Sequence, residues 1–111
     1  MVEVGSTIAN AGVDREIVAE SSGMRFTLYT IAPGCQIPWH FHTEVSDWYV
    51  CREGAFTVET RAPDESFPLI PGEMADVPAG RVHRVVCSGS AACRFALVQG
   101  IGAYDFNRVP G

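Results

Sequence analysis

The sequence predicts an all-β protein, a barrel or sandwich of many short strands. Two observations carry this. Eleven Gly and seven Pro break the chain at short intervals, and the runs between them are rich in Val, Ile, Phe, Tyr and Thr, residues that fit a pleated, half-buried surface. No stretch sustains a helical period beyond one or two turns. Short strands at regular spacing in 111 residues are what two packed sheets or a closed barrel require.

Taken in order, Asp14 to Glu20 reads as a strand that turns through Ser21-Ser22-Gly23 into Arg25 to Ile31. The second run, RFTLYTI, alternates apolar and polar residues at period two and breaks at Pro33-Gly34. Pro38-Trp39-His40-Phe41-His42 reads as a further strand. Trp48 to Cys51 and Ala55 to Thr60 are expected to pair around Arg52-Glu53-Gly54. Met74 to Val77 leads into Pro78-Ala79-Gly80, and Val82 to Cys87 follows. Ser88-Gly89-Ser90 is a loop before the last strand, Cys93 to Gln99. The first ten residues are less patterned. They either fray or form a strand in need of a partner, a second subunit included.

The length fits one domain, residues 1–111 with a core at about 13–100. An apolar content of 47% with 19% charged residues is globular rather than disordered. Thirteen acidic against eight basic residues give a net charge of −5, which disfavours nucleic acid and anionic membrane surfaces as partners. All eight basic residues are Arg. Lysine Schiff-base chemistry and lysine-bearing phosphate loops are therefore excluded. No apolar run is long enough to span a bilayer and the start lacks a signal-peptide pattern, so a soluble cytoplasmic protein is expected. Cys35, Cys51, Cys87 and Cys93 show no Cys-x-x-Cys spacing. Four reduced, mostly buried thiols are expected, with a Cys87–Cys93 bridge across a hairpin as the alternative.

The three histidines carry the chemistry. His40 and His42 stand at i and i+2, so on a strand they project to one side while Trp39 and Phe41 project to the other. Asp47 heads the strand Asp47-Trp48-Tyr49-Val50-Cys51 and supplies a carboxylate. His83, from a distant strand, would complete three imidazoles and one acid, a hard-to-borderline donor set for a divalent ion. On the residues alone, a metal centre and a merely polar strand face both fit.

The spacing adds a second argument. Gly34, His40, His42, Asp47 and Gly54 are separated by five, one, four and six residues. Gly72, Pro78, Gly80 and His83 are separated by five, one and two. These two runs, within residues 34–87, resemble the paired motifs of the cupin family, in its small single-domain form. Gly54 and Gly80 sit at turns where positive φ or close backbone approach is expected, and Pro78 ends a strand where a ladder donor is dispensable. Two positions depart from the family pattern. Asp47 stands where Glu is usual, so it either reaches a metal directly from a closer strand or acts through water. Cys87 stands where Asn is usual. Glu44, in the turn after His42, is the rival carboxylate and ranks second.

The resemblance implies a cupin-type jelly-roll barrel (a double-stranded β-helix) of two antiparallel sheets. It implies one divalent metal ion (Fe, Mn, Ni, Co, Cu or Zn) on His40, His42, Asp47 and His83, with a position open to a small-molecule ligand or substrate. Tyr49 and Cys51 share the inward parity of Asp47. Tyr49 is a candidate general acid or hydrogen-bond donor, with a satisfied wall residue as its other reading. Cys51, Cys87 and Gln99 are candidates for lining the pocket. For Cys87 the preferred reading is a small buried hydrophobe, and the parity of Gln99 is open. Trp39, Phe41 and Trp48 share the opposite parity. They would form an apolar patch covered by a second subunit, giving a homodimer, or by the N-terminal strand, or would pack between the sheets. The implied activity is a metal-dependent lyase, isomerase or cyclase, or dioxygenase acting on a small oxygen-rich molecule. The alternative is a non-catalytic ligand-binding or sensing module, and a storage barrel ranks third. No segment reads as DNA-binding.

Overall fold

A computed structural model describes residues 12–111, and within them the backbone forms ten strands and no helix. Two hairpins arise locally. β1 (Val13–Ser21) returns through Ser22-Gly23 into β2 (Met24–Ile31), and β5 (Phe56–Thr60) returns into β6 (Glu65–Leu69). The other strands are β3 (Gln36–Phe41), β4 (Ser46–Glu53), β7 (Met74–Val77), β8 (His83–Val86), β9 (Cys93–Gly100) and β10 (Asn107–Arg108). One sheet has the order β1-β2-β9-β4-β7 and the other β10-β3-β8-β5-β6. All of the pairings are antiparallel.

The expected pairing of Trp48–Cys51 with Ala55–Thr60 does not form. β4 lies between β9 and β7, whereas β5 lies between β8 and β6 in the facing sheet. Gly54 makes the sharp turn that its position suggests, with φ of 70°, and a Cβ there would run into the Ala92 carbonyl oxygen. The turn carries the chain across to the other sheet instead of back beside itself. β6 is a strand that the sequence reading does not include; it carries Pro68 and is the edge of its sheet, where a missing ladder donor is tolerated. The reading of the first ten residues lies outside the described residues.

Inward-facing side chains change character along the strands, and they do so in register. On β9 the inward row runs Cys93, Phe95, Leu97, Gln99; on β2 it runs back from Ile31 and Tyr29 to Thr27 and Arg25; on β4 from Cys51 and Tyr49 to Asp47. On β8 it runs from Cys87 and Val85 to His83. One end of the interior is therefore apolar and the other polar. At the apolar end Phe95 stacks on Tyr29, with centroids 5.0 Å apart, and packs on Phe56 at 4.6 Å. The polar end holds the buried residues Arg25, His40, His42, Asp47, His83 and Gln99.

Trp39, Phe41 and Trp48 do point outward, but not onto one patch. β3 and β4 belong to different sheets, so Trp39 and Phe41 lie on one outer face and Trp48 on the other. Trp39 is roofed by the guanidinium groups of Arg61 and Arg84, whose carbons stand 3.9 and 4.8 Å from the ring centroid.

Candidate metal centre

Three strand ends bring the histidines and Asp47 together. His40 and His83 are register partners on β3 and β8, and a register shift between Ile37 and His40 re-aims His40 into the interior. Pro38 lies within this bulge, where its missing N–H costs no ladder bond. His42 follows β3, and its carbonyl accepts a hydrogen bond from the Gly80 amide at 2.7 Å. Gly80, with φ of 84°, thereby ties the turn before His83 to the end of the first histidine strand. Asp47 enters from the opposite sheet, paired with Gln99.

The donor atoms of His40, His42, Asp47 and His83 all lie within 4.8 Å of one another, and all four residues are buried. This is close to the spread of ligands held about 2 Å from a shared ion. Each ring is also oriented from behind. Nδ1–H donates to the Pro38 carbonyl from His40 (2.7 Å), to the Asp105 carbonyl from His42 (2.6 Å), and to the Arg81 carbonyl from His83 (2.8 Å). A carbonyl only accepts, so each Nδ1 carries the proton and each neutral ring keeps its Nε2 lone pair for the interior.

Asp47 is braced in the same way. Its Oδ2 accepts from the Tyr49 hydroxyl at 2.7 Å and its Oδ1 accepts from Gln99 Nε2 at 2.9 Å. His83 Nε2 stands 3.0 Å, and His42 Nε2 3.4 Å, from Asp47 Oδ2. Two acceptor atoms at such distances repel unless a cation lies between them, either a proton on the ring or a metal. The donor set is thus built for a shared positive charge, and a divalent ion fits it.

Electrostatics agree with that reading. Burial, reinforced by the charge of His83, lowers the His40 pKa to about 3, keeping that ring neutral. Burial also pulls His42 down, but the hydrogen bond and charge of Asp47 outweigh it and leave its pKa raised. For Asp47, burial pushes the carboxyl up, yet the hydrogen bonds from His42 and His83 hold it well below the usual carboxylate range. Burial and the neighbouring Asp47 charge push the Tyr49 phenol well above the usual tyrosine value. Tyr49 is therefore a donor to Asp47 in this geometry, acting through the carboxylate.

The other sequence candidates separate. Gln99 faces inward and touches Asp47. Cys51 and Cys87 lie in the apolar core, directed at the Gly54 and Ala91 carbonyls rather than at the cluster. All four cysteines are free thiols, and burial, with Cys87 alongside, pushes the Cys93 thiol up to about 12. Glu44 is exposed and accepts from the Ala103 amide, away from the four donors.

The C-terminal segment contributes residues that sequence reasoning missed. Phe106 stacks on His40 with centroids 4.3 Å apart, Tyr104 lies 5.4 Å from the His42 ring, and Asp105 supplies the carbonyl that holds His42. Asp105 Oδ1 accepts from the Thr43 amide at 2.7 Å, and β10 pairs with β3, which fixes this strap over the centre. Beside the cluster lies a cavity of about 360 Å³, lined in part by Arg25, Val45, Gln99 and Tyr104. Gln99 belongs to both. Removing an outer hydrogen bond gives a measurable check: Tyr49→Phe should weaken metal affinity about 10–100-fold without loss of fold, read by competition with a chelator.

The cupin domain family model matches residues 27–99, from β2 through β9. No curated protein matches the sequence. Among solved structures, a Klebsiella pneumoniae protein with a double-stranded β-helix domain superposes with a TM-score of 0.78 at 22% identity, covering 92% of this chain and 88% of its own. A cupin superfamily sugar phosphate isomerase from Silicibacter pomeroyi gives a TM-score of 0.72 at 21% identity, covering 90% and 78%. KdgF from Halomonas sp. gives 0.69 at 22%, covering 81% and 82%. At these identities the structures share the fold. With the family match spanning most of its strands and the motif residues converged inside two facing sheets, the chain belongs to the cupin family.

Proposed function

We propose that this cupin is a metal-dependent enzyme acting on a small oxygen-rich molecule, in lyase, isomerase or cyclase, or dioxygenase chemistry. The observation that carries the reading is the set of three Nδ1–H hydrogen bonds to backbone carbonyls, which aim three Nε2 atoms at the same point as a braced carboxylate. A structural polar face has no need of such orientation. A divalent ion there supplies Lewis acidity toward a carbonyl or hydroxyl oxygen and, with a redox-active metal, dioxygen chemistry. The chain's own part is to hold the donors, to exclude water with Phe106 and Tyr104, and to present Gln99 between the centre and the cavity. The reported isomerase among the structural neighbours is in keeping with this class.

A second reading, a ligand-holding cupin without turnover, is favoured by one observation: the hydroxyl of Tyr49 is committed to Asp47 and is a poor proton donor. The free thiols suit a reducing compartment, which supports a cytoplasmic location. Outward-facing Phe26, Leu28, Trp48, Val50 and Val98 make the outer face of the first sheet apolar, which supports a homodimer.

The test begins with protein purified without a nickel column, stripped and reloaded with each divalent ion in turn. About one ion per chain is the expected stoichiometry. Uptake of none of Fe, Mn, Ni, Co, Cu or Zn would sink the proposal. Loaded protein is then screened by NMR against small hydroxy and oxo compounds, with oxygen consumption measured for the iron form. Turnover separates the enzyme from the holder.

A further inference from the structure

Beside the centre lies an unusual arginine. Arg25 is 8% exposed and faces the cavity from β2. Its Nε is buried and has no hydrogen-bond partner. Glu20 is the carboxylate nearest in its ion pairing, but Oε2 stands 3.8 Å from that nitrogen, and the Glu20 side chain is 53% exposed at the rim. The guanidinium carbon lies 3.9 Å from the Tyr104 ring centroid, so the face of the fork is covered while its edge stays available. A buried guanidinium without a hydrogen-bonded carboxylate is costly. An incoming anion removes that cost.

The register fixes where that anion would lie. Arg25, Gln99 and Asp47 are successive partners across β2, β9 and β4, all facing inward. Arg25 and Asp47 are thus two strand spacings apart, about 10 Å between Cα atoms, with the cavity on the Arg25 side and the histidines on the Asp47 side. Arg15 also interacts with the Tyr104 and Tyr29 hydroxyls, which adds positive charge to this end of an otherwise acidic chain.

We propose that Arg25 receives the carboxylate of a small hydroxy- or oxo-carboxylic acid whose second oxygen function faces His40, His42, Asp47 and His83. The planar fork matches a carboxylate edge in two parallel hydrogen bonds. A phosphate, which draws on more donors, meets one guanidinium among the residues that line the cavity. Glu20 swings outward as the ligand enters. The assignment deepens the metal-dependent reading above and rests on it for the second oxygen contact only.

The probes are 3-hydroxybutyrate, its neutral counterpart 1,3-butanediol, and inorganic phosphate, added to metal-loaded protein. Binding is followed on the Arg25 Nε–H resonance and by calorimetry. The carboxylate is expected to move that resonance and to bind more tightly than the diol or phosphate. Arg25→Gln should weaken carboxylate binding at least about tenfold while metal content and diol binding stay unchanged. Arg25→Lys, which keeps the charge without the fork, should recover part of the loss and covers the case in which Arg25→Gln fails to fold. Glu20→Gln should bind the carboxylate at least as tightly as wild type. Equal carboxylate affinity in wild type and Arg25→Gln, a stationary Nε–H resonance at tens of millimolar carboxylate, or tighter binding of phosphate would each overturn the assignment. Absence of metal uptake overturns the metal reading instead, and the Nε–H resonance of metal-free protein still decides the role of Arg25.

Discussion

His42→Ala is expected to abolish stoichiometric metal retention and to leave the β-sheet circular dichroism spectrum in place. The ring is one of four converging donors, and it is the one held in position by a long-range hydrogen bond to Asp105. Losing a direct donor costs more than the roughly 10–100-fold loss of affinity that accompanies loss of an outer hydrogen bond. The fold survives because His42 lies beyond the last residue of β3, and Asp47 keeps Tyr49, Gln99 and His83 as neighbours. Elemental analysis after dialysis reads the result, and unchanged metal content would remove His42 from the donor set. A pH series adds a signed check. Metal binding requires an unprotonated Nε2, and in the metal-free protein Asp47 raises the His42 pKa above the ordinary imidazole value. Affinity therefore falls as pH drops through that raised value, and it recovers on the alkaline side. A flat profile across the imidazole range would contradict the geometry.

The largest effect on stability is expected at Phe95→Ala, which should cost about 3–5 kcal/mol. Phe95 is fully buried on β9, the strand between β2 and β4, and meets Tyr29, Tyr49 and Phe56 at centroid distances of 5.0, 5.6 and 4.6 Å. Truncation removes the ring shared by both sheets and leaves a cavity. Domains of this kind are stable by only about 5–15 kcal/mol, so the loss is a large fraction of the total. Denaturant unfolding would show it as a fall in midpoint at constant slope. A shift below about 1 kcal/mol would mean that the sheets close over the gap.

The sequence made the four donors legible because they lie at fixed spacing around turns whose glycines the backbone requires. It left sheet membership unread. β4 and β5 carry the pattern of a hairpin, and only the facing sheets reveal that the Gly54 turn is a crossing. The alternation in RFTLYTI also misleads: by polarity alone Arg25 and Thr27 belong on the solvent side, yet they face inward and Phe26 and Leu28 face out. That inversion is what hid Arg25. Tyr104, Asp105 and Phe106 were hidden for another reason. Their segment has no period, and its place depends on β10 returning to β3, a long-range pairing of two residues that no local pattern encodes.

The bond that aims His42 comes from the main chain of Asp105, not from its side chain. Selection can therefore exchange the side chains at positions 104 and 106 while the imidazole keeps its bearing. New chemical tastes can evolve at the mouth of the protein without renegotiating the machinery behind it.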